Sequence, residues 1–303
     1  MSSAFLCICL NPVIQKTIIL PQLNENEVNR SHEYYTDASG KGVNASRVLT
    51  QLGEQVVHLT QLGGRFRDYF LSMAEDDRLN IEWVESFSEI RGCYTLISQA
   101  ERTSTEIVEE AQPVEKGTEA RIMQLFKKRL PDFDTIIISG TKAAGFSETI
   151  FPAMVQMAKQ QGKTVILDYR GPDLLNSVAF HPDIIKPNYR EFVVTFFPEY
   201  ASDAGDQLPD RVREKMVQLY TDYKIITILT RGSQEILYMD AGNVKSIAPP
   251  KITPLNTIGC GDAFTAGFAA AWHRKMALDR AIRQGVDCAR ENALQIRPGV
   301  IRK

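Results

Sequence analysis

The sequence predicts an α/β protein in which a doubly wound, mostly parallel sheet is flanked by helices and carries a small β-sheet as a lid. Residues 5–10 are almost continuously apolar, as expected for a strand buried on both faces. Between residues 135 and 230, β-rich runs alternate with stretches of helical periodicity, which is the pattern of a parallel sheet. Strands near residues 13–36 and 91–110 have no helices between them, so we place them in the lid. We expect one domain over residues 1–303.

The individual elements follow from local pattern. Runs rich in β-branched residues indicate strands, and helical spacing indicates helices, as for Val43, Arg47, Val48 and Leu52. In the main sheet we predict strands at residues 5–10, 56–60, 135–139, 164–168, 183–186 and 225–230, and a hairpin of residues 235–239 and 244–247. In the lid we predict strands at residues 16–20, 32–36, 94–98 and 105–109. The predicted helices cover residues 43–52, 121–129, 148–159, 211–220, 263–272 and 277–294.

Composition excludes several classes of function. The 303 residues are 44% hydrophobic and 24% charged, as in globular proteins with a sizeable core. A formal net charge of −2 argues against a general binder of nucleic acids or membrane surfaces, so local groups must bind any anion. No run approaches about 18 apolar residues, and the N-terminus lacks the pattern of a signal peptide. We therefore expect a cytoplasmic protein with no membrane and no nucleic-acid partner.

The five cysteines are odd in number and scattered, which favours a reducing compartment. Cys7 and Cys9 alternate along a predicted strand and could together suggest a metal site. No histidine or cysteine pair with ligand spacing accompanies them in the sequence, so we interpret them as buried core thiols.

Polar or glycine-containing segments follow five of the predicted parallel strands. In doubly wound proteins, ligands bind at the carboxyl ends of the strands. Each segment alone is ordinary at a strand end, but five on one edge predict a binding site. The segments are Asn11, Ser139-Gly140, Asp168, Lys186-Pro187-Asn188 and Thr230-Arg231-Gly232.

The strongest single signal is the start of the predicted helix near residue 263. Gly259 and Gly261 let the backbone enter this helix with its N–H groups exposed, and such a helix start binds anions. Asp262 then places a carboxylate where an anion is expected. It is either an N-capping residue or a catalytic base beside an anion site. The two flanking glycines favour the base.

Gly40-Lys41-Gly42 opens another predicted helix and offers a cation and free amides. The segment matches the G-x-G-x-x-G/A dinucleotide fingerprint, but no buried strand precedes it and no acidic residue ends the strand at 56–60. We therefore reject a dehydrogenase. A Walker A loop fails as well, because Tyr35 occupies its first glycine position. An anion-binding turn and a purely structural turn both remain open.

Two further features have alternative interpretations. Asn188 and Glu191 lie one helical turn apart at a strand end, which suits Mg²⁺ held through waters and phosphate oxygens. The same spacing is that of a capping box, with Asn188 as N-cap. Arg91, at the mouth of the lid hairpin, is either a phosphate ligand or a solvated surface arginine.

These residues resemble the two signatures of the PfkB (ribokinase-like) carbohydrate kinases. Residues 256–262, Asn-Thr-Ile-Gly-Cys-Gly-Asp, are similar to the family's N-T-x-G-A-G-D, and residues 39–44, Ser-Gly-Lys-Gly-Val-Asn, are similar to its G-G-K-G-x-N. The resemblance covers essentially the whole chain. Leu10-Asn11-Pro12 and Arg91 point to the hexose-phosphate branch, which holds 1-phosphofructokinase and tagatose-6-phosphate kinase.

The resemblance implies ATP-dependent, Mg²⁺-assisted phosphorylation of a hydroxyl on a sugar phosphate. It implies that Asp262 takes the hydroxyl proton while the amides of residues Gly259, Cys260 and Gly261 stabilise the transferred phosphoryl group. The lid would close over the sugar, and two copies would pair through it as a homodimer. The residues implied to serve ATP and Mg²⁺ are Lys186, Asn188, Glu191 (holding the metal through water), Thr230, Gly232 and Asn292. Those implied to line the acceptor site are Asn11, Gln15, Gly40, Lys41, Asn44, Arg91 and Ser139, with Lys41 and Arg91 as phosphate ligands.

The departures from the family pattern concentrate on the acceptor side. The branch has Asp where this sequence has Gln15, Asn at the positions of Cys93 and Val108, and often Lys at that of Thr95. A glutamine is uncharged and offers a donor as well as an acceptor. Two alternatives therefore stay open: a kinase for a different sugar or nucleoside, and a catalytically weak homologue that binds nucleotide or sugar phosphate.

Overall fold

Two β-sheets organise the fold. The computed structural model describes residues 4–200 and 209–301. The strands of the large sheet are β1 (Ala4–Cys9), β4 (Gln55–Leu62), β5 (Ile81–Glu85), β8 (Thr135–Ser139), β9 (Thr164–Asp168), β10 (Ile184–Ile185), β11 (Ile226–Leu229), β12 (Ile236–Asp240) and β13 (Asn243–Ile247). The strands of the small sheet are β2 (Val13–Leu20), β3 (Glu33–Ser39), β6 (Arg91–Ser98) and β7 (Thr103–Val108).

The large sheet is doubly wound, as predicted. Within the described residues it has nine strands in the order β13-β12-β11-β10-β9-β8-β1-β4-β5. All neighbours from β11 to β5 are parallel, and β12 and β13 add an antiparallel edge. The helices that accompany the sheets are α1 (Lys41–Gln51), α2 (Arg67–Asp76), α3 (Thr118–Arg129), α4 (Ile150–Gln160), α5 (Pro172–Val178), α6 (Tyr189–Phe196), α7 (Pro209–Tyr223), α8 (Cys260–His273) and α9 (Leu278–Ala293).

Strand β1 lies at the centre of the core because both of its faces are covered. Leu6 and Ile8 belong to one apolar layer, and Phe5 and Cys7 belong to the other, which includes α8 and α9. These side chains are fully buried, as the continuous apolar run predicted. Cys7 and Cys9 are free buried cysteines, so they are core thiols.

The small sheet has the order β3-β2-β6-β7 and joins the large one where β3 runs into α1. Strand β3 pairs antiparallel with β2. The segment before Gly40 is therefore an edge strand of this sheet, not the parallel core strand that a dinucleotide fingerprint requires. Strand β2 starts at Val13 and β3 extends to Ser39, beyond the predicted limits, because backbone pairing continues through polar residues.

Besides helix α6, for which the sequence offered only a possible capping box at its start, three elements were not predicted from the sequence. Helix α2 buries only Phe70, Met73 and Ala74, so its apolar periodicity is weak. Strand β5 is half-buried along its whole length at the sheet edge. Helix α5 is only seven residues long. Among the described residues, no helix has the length and apolarity needed to cross a bilayer.

Candidate active site

Helix α8 begins in a tight turn at the carboxyl edge of the large sheet. Its N-cap is Gly259, in the left-handed region with φ 80°. A Cβ on Gly259 would lie 2.9 Å from the backbone nitrogen of Gly299, so only glycine fits both the conformation and the space. The first N–H groups of a helix lack partners within the helix, and the binding of an anion by those of this turn stays a prediction.

Two asparagines brace this turn from behind. Asn256 accepts from the Ile258 N–H at 3.0 Å and donates to the Ile296 carbonyl at 2.8 Å. Asn292 donates to the Ile258 carbonyl at 2.8 Å and accepts from the Gly299 N–H at 2.7 Å. Both ends of the Asn292 amide therefore hold the turn in place, and its contact with adenine stays a prediction.

Cys260 occupies the position that carries alanine in the family signature. Its backbone N–H donates to the Thr257 carbonyl at 3.3 Å, which is a long bond that a stronger acceptor could replace. Burial raises the pKa of the Cys260 thiol to about 11. The side chain is therefore neutral near pH 7 and adds no charge to the turn.

Asp262 is the third residue of α8 and is 6% exposed. No side chain caps the start of this helix, so the interpretation of Asp262 as an N-cap is wrong. One of its oxygens instead accepts from Nδ2 of Asn44 at 2.8 Å. Burial, followed by the negative charge of Asp168, raises the pKa of Asp262 to about 6. A carboxylate with a raised pKa is a better proton acceptor near neutrality than an ordinary aspartate.

Beside Asp262 lies a buried group of opposite charges centred on Asp168, at the end of β9. One Asp168 oxygen is 3.4 Å from Nζ of Lys41, and the other is 3.1 Å from Nζ of Lys186. Thr265 of α8 donates to the same carboxylate at 2.8 Å. Burial alone would raise the pKa of Asp168, but Lys186 and Lys41 outweigh it and hold that pKa below its usual range. Asp168 therefore stays ionised and positions two lysines at the sheet edge.

Lys41 faces this group and not Arg91. Its ammonium lies 2.9 Å from Oε1 of Glu191, in addition to its contact with Asp168. Burial would lower the pKa of Lys41, but the charges of Asp168, Glu191 and Asp262 raise it, so the side chain is a permanent cation. Lys41 is thus within reach of a phosphate group at the α8 turn. Whether it also binds the acceptor's phosphate stays a prediction.

Asn188 and Glu191 form the capping box of α6. Asn188 Oδ1 accepts from the Glu191 N–H at 2.7 Å, and Glu191 Oε2 accepts from the Asn188 N–H at 2.9 Å. The other Glu191 oxygen faces Lys41. No group of three or more His, Cys, Asp or Glu side chains in the described part of the chain could hold a metal directly. This arrangement fits the kind of Mg²⁺ site predicted from the sequence, in which water and phosphate supply most of the ligands.

A cavity of about 380 Å³ adjoins this edge. Its lining includes Asn188 and Tyr189 together with Thr230, Arg231 and Gly232, which follow β11. Thr230 forms a parallel bridge with Asn188, so the two predicted nucleotide-binding segments lie side by side. A larger cavity of about 470 Å³ lies at the amino ends of the strands, lined by Arg78 and Arg129 among others, and contains none of the predicted site residues.

On the acceptor side, Gln15 is buried and its Nε2 donates to Oγ1 of Thr95 at 2.8 Å. Gln15 pairs in register with Asp37 and Cys93, so these three side chains share one face of the small sheet. Gln15, Cys93 and Thr95 depart from the family pattern, and they are neighbours in the structure. The sequence analysis had placed all three on the acceptor side.

The remaining predicted acceptor residues are spread along the same edge. Asn11 donates to Oγ1 of Thr141 at 3.0 Å, and Gly40 is the N-cap of α1. Ser139 is buried at the end of β8, where it pairs with Asp168. Arg91 is half-buried and donates to the Glu109 carbonyl at 3.1 Å. The structure places no contact between Arg91 and Lys41, so a shared phosphate between them stays a prediction.

Sequence reasoning counted Asp168 among the polar strand ends that predict a site, but it gave this carboxylate no role in holding the two lysines. It missed two other residues of the site. Arg47 was used only as part of the helical spacing of α1, although a charge on a buried helix face is itself unusual. Thr265 gave no signal, because only the tertiary structure brings it to Asp168.

The chemistry that this edge supports is the transfer of a phosphoryl group, because cations, amides and a carboxylate base there act on an anion and its acceptor. The class is therefore an α/β phosphotransferase. The family model described as pfkB family carbohydrate kinase matches residues 8–299, and the chain belongs to that family. This confirms the resemblance of the two signatures.

Relatives and solved structures agree with this assignment. The chain is 26% identical to a tagatose-6-phosphate kinase of Staphylococcus epidermidis over 298 residues, which is 98% of this chain and 94% of the relative. It superposes on the phosphofructokinase-2 of Escherichia coli in complex with potassium with a TM-score of 0.83, at 20% identity and over 97% of this chain and 93% of that one. For a possible 1-phosphofructokinase of Thermotoga maritima the TM-score is 0.86, at 19% identity and over 97% and 93% of the two chains.

Proposed function

We propose that the protein transfers the γ-phosphoryl group of ATP to a hydroxyl of a sugar phosphate. The observation that carries this proposal is the position of Asp262, a buried base held by Asn44 at the start of α8. Lys41 and Lys186 each contact Asp168, and their charges also act on Asp262. A kinase needs its base and its cations close together, here Asp262, Lys41 and Lys186, because phosphoryl transfer depends on positioning and on electrostatic stabilisation.

The proposed reaction is a single displacement. The acceptor hydroxyl gives its proton to the free oxygen of Asp262, its oxygen forms a bond to the γ-phosphorus, and the bond from that phosphorus to the bridging oxygen breaks. ADP leaves with the bond's electron pair. The amides of the Gly259–Gly261 turn and the ammonium groups of Lys41 and Lys186 stabilise the charge on the transferred group. A closed small sheet would keep water from the reacting phosphorus.

ATP and Mg²⁺ are assigned to the edge between β10 and β11. The cavity of about 380 Å³ beside Asn188, Thr230 and Gly232 has room for part of a nucleotide. Glu191 would hold Mg²⁺ through a water molecule, since both of its oxygens already accept hydrogen bonds or an ion pair. The metal supplies further neutralisation of the phosphate charge when it is bound.

The acceptor is proposed to be a sugar phosphate because the relative that matches along nearly the whole chain is named tagatose-6-phosphate kinase. Arg91 is the candidate ligand of its phosphate group, and Asn11, Gly40 and Ser139 would contact the sugar. A coupled assay of ADP release over a panel of hexose monophosphates tests this proposal. Turnover dependent on a sugar phosphate is expected, and the proposal fails if the wild-type protein releases no ADP with any of them.

A second acceptor is favoured by one observation, the Gln15–Thr95 hydrogen bond. Gln15 replaces an ionised carboxylate by a neutral amide, one N–H of which already donates to Thr95, so the site lacks the charged acceptor that relatives offer to sugar hydroxyls. A site built to hydrogen-bond a hydroxyl discriminates strongly when that partner is missing. The same assay should therefore include unphosphorylated sugars and nucleosides. Turnover of one of these in preference to every hexose monophosphate would support the second acceptor.

We also propose that two copies pair through the small sheet. Its outer face presents Ile18, Tyr34 and Leu96 in one continuous row, and Tyr34 is 60% exposed. Ile107 on β7 is 54% exposed on the same face. Contiguous exposed apolar side chains mark interaction surfaces. Light scattering on the purified protein tests this: a dimeric mass that becomes monomeric in Ile107→Glu supports it, and a monomeric wild-type protein refutes it.

A further inference from the structure

Arg47 is a buried cation on α1 that no step of the proposed reaction uses. It is 2% exposed. Its Nε donates to Asp77 at 2.8 Å, and its Nη1 donates to the Pro298 carbonyl at 3.1 Å. Nη2 donates to the Ala38 carbonyl of β3. The guanidinium thus ties α1 to the small sheet and to the segment behind the α8 turn.

The same guanidinium fixes the side-chain amide of Asn44. Nη1 of Arg47 lies 3.0 Å from Oδ1 of Asn44, and Oγ of Ser39 lies 2.9 Å from the same atom. A guanidinium has donors only, so the Asn44 atom facing it must be the carbonyl oxygen. The NH₂ group must then point the other way, toward Asp262, whose Oδ2 is 2.8 Å distant. Arg47 therefore orients Asn44 so that its NH₂ group, and not its carbonyl oxygen, faces Asp262.

We propose that Arg47 is a positioning residue, which acts through Asn44 to keep a hydrogen-bond donor on one oxygen of Asp262 and to leave the other oxygen free for the acceptor hydroxyl. A donor on a carboxylate favours its ionised form, so the arrangement holds the base ready. Without Arg47 the Asn44 amide could rotate and present its carbonyl to Asp262, which would repel the ionised form. The catalytic meaning of this role rests on the proposed function, but the contact itself does not.

The position of Arg47 also links the base to the rest of the site. Its acceptor Ala38 belongs to β3 in the small sheet, and its acceptor Pro298 packs against Gly259. A shift of the small sheet or of the α8 turn would therefore move the guanidinium that orients Asn44. The base is fully oriented only when both parts are in place.

Other charges also act on Asp262 and must be kept unchanged in a test. They come from Asp168 on β9, Lys41 on α1 and Lys186 after β10. The thiols of Cys9 on β1 and Cys260 on α8 also interact with its charge. Substitutions at Arg47 and Ser39 leave all of these side chains in place.

The experiment measures the titration of Asp262 itself, by carbon NMR of protein labelled with ¹³C at the aspartate carboxyl carbon. The Asp262→Asn variant identifies its signal. We expect Asn44→Ala to raise the midpoint by about 1–2 pH units, the size of one lost hydrogen bond to a carboxylate. Arg47→Met should raise it by a similar amount, and the double variant should shift no further than Asn44→Ala alone.

Three further variants separate positioning from charge and from folding. Ser39→Ala removes the other donor to Asn44 without any change of charge, and it should raise the midpoint in the same direction even if Arg47→Met does not fold. Arg47→Lys keeps the charge but cannot reach all four acceptors, so it should behave more like Arg47→Met than like the wild type. Gln51→Ala is the matched control, because Gln51 also joins α1 to the C-terminal segment, through Gly299 and Ile301, and donates to Arg47 only at its backbone carbonyl.

The outcomes are distinct. The proposal is overturned if Arg47→Met and Ser39→Ala both titrate like the wild type, or if the shifts of Arg47→Met and Asn44→Ala add in the double variant. Additivity would mean that the Arg47 charge acts on Asp262 directly. In the same variants the acid limb of kcat against pH should move with the NMR midpoint. A wild-type protein without turnover would refute the proposed function, while the NMR titration would still decide the role of Arg47.

Discussion

The Nζ atom of Lys41 lies 2.9 Å from Oε1 of Glu191, although the two residues are 150 positions apart in the sequence. Lys41 stands at the start of α1, next to the small sheet, and Glu191 stands in the first turn of α6, beside the proposed nucleotide cavity. The pair therefore spans the gap between the two halves of the site. In the proposed reaction the phosphoryl group would pass close to this pair, in which the Glu191 carboxylate partly offsets the charge of Lys41.

Glu191 has two roles that substitution can separate. In Glu191→Gln the capping box can persist, because glutamine also serves at that position, but the charge is lost. We expect the free energy of unfolding to change by less than about 1 kcal/mol, because the pair with the partly exposed Lys41 contributes little. The Mg²⁺ concentration for half-maximal activity should rise. Asn188→Ala should instead cost about 1 kcal/mol of stability through the lost cap. Denaturant unfolding and Mg²⁺ titrations of activity measure the two effects.

An unchanged Mg²⁺ requirement in Glu191→Gln would mean that Glu191 only caps α6 and neutralises Lys41. Asn188→Ala calibrates the stability of the α6 cap by unfolding only, because Asn188 itself lines the proposed nucleotide cavity.

Removing the base should abolish turnover while leaving binding intact. We expect Asp262→Asn to lower kcat by about 10³-fold or more, because the acceptor hydroxyl loses its proton acceptor, with a small change in the affinity for ATP. Steady-state kinetics and calorimetric titration with ATP measure the two quantities. Asp76→Asn, on the exposed surface of α2, is a control that should leave both unchanged. Turnover by Asp262→Asn close to that of the wild type would exclude Asp262 as the base.

Activity should fall on the acid side with a midpoint near pH 6. Burial and Asp168 raise the pKa of Asp262 to about 6, and only its ionised form can accept a proton. Because Asp262 acts as a base, kcat should reach its maximum well above pH 6. It should fall tenfold for each pH unit well below pH 6. A profile of kcat from pH 5 to 8, in a buffer series of constant ionic strength, checks this. A kcat that stays constant down to pH 5 would show that the pKa of the Asp262 carboxyl is not raised in this way.

The α8 turn should tolerate no side chain at its N-cap. Gly259→Ala combines a positive φ of 80° with a Cβ that would lie 2.9 Å from the Gly299 nitrogen, so the turn must distort. Gly162→Ala is the matched control, since Gly162 also has a positive φ, 69°, but its Cβ would meet nothing within 4 Å. We expect the control to lose about 1 kcal/mol of stability from backbone strain alone and to keep its activity. Gly259→Ala should lose more stability and most of its kcat.

Thermal unfolding measures the stability of Gly259→Ala and Gly162→Ala, and kinetics measure their kcat. Equal losses of stability, with activity kept in both, would contradict the tight packing of the Gly259 turn.

Stability should decline in mild acid because of His58. This side chain is fully buried, and burial together with Arg47 lowers its pKa to about 3. Between about pH 3 and 6.5 the unfolded chain therefore binds a proton that the folded protein does not, so the free energy of unfolding rises with pH in this window. The protonation of His58 in the unfolded chain should lower the free energy of unfolding by about 2 kcal/mol between pH 7 and pH 5. His58→Gln should show a smaller slope, and His32→Gln, at an exposed position, should keep the full one. Urea unfolding at several pH values measures the slopes.

Much of the fold could be predicted from the sequence because its signals are local. The apolar run of β1 predicted a fully buried strand, and strands β8 and β9 were predicted with their observed limits. Alternating strands and helices predicted the parallel sheet. Helix α2 and strand β5 were missed because they bury few side chains, so their sequences carry little periodicity.

For the site, the sequence by itself determined which residues are available. They are the glycines and Asp262 of the α8 turn, Lys41 at the start of α1, and the polar residues at the ends of the strands. Each is marked by residue type and by its place at a strand end or helix start, which are local properties. The tertiary structure decided their pairing. It placed Asn44 on Asp262 across 218 residues, turned Lys41 toward Glu191 and Asp168, and made Arg47 the group that orients Asn44. Such contacts depend on side-chain directions between distant elements, and those directions are set only when the core has packed.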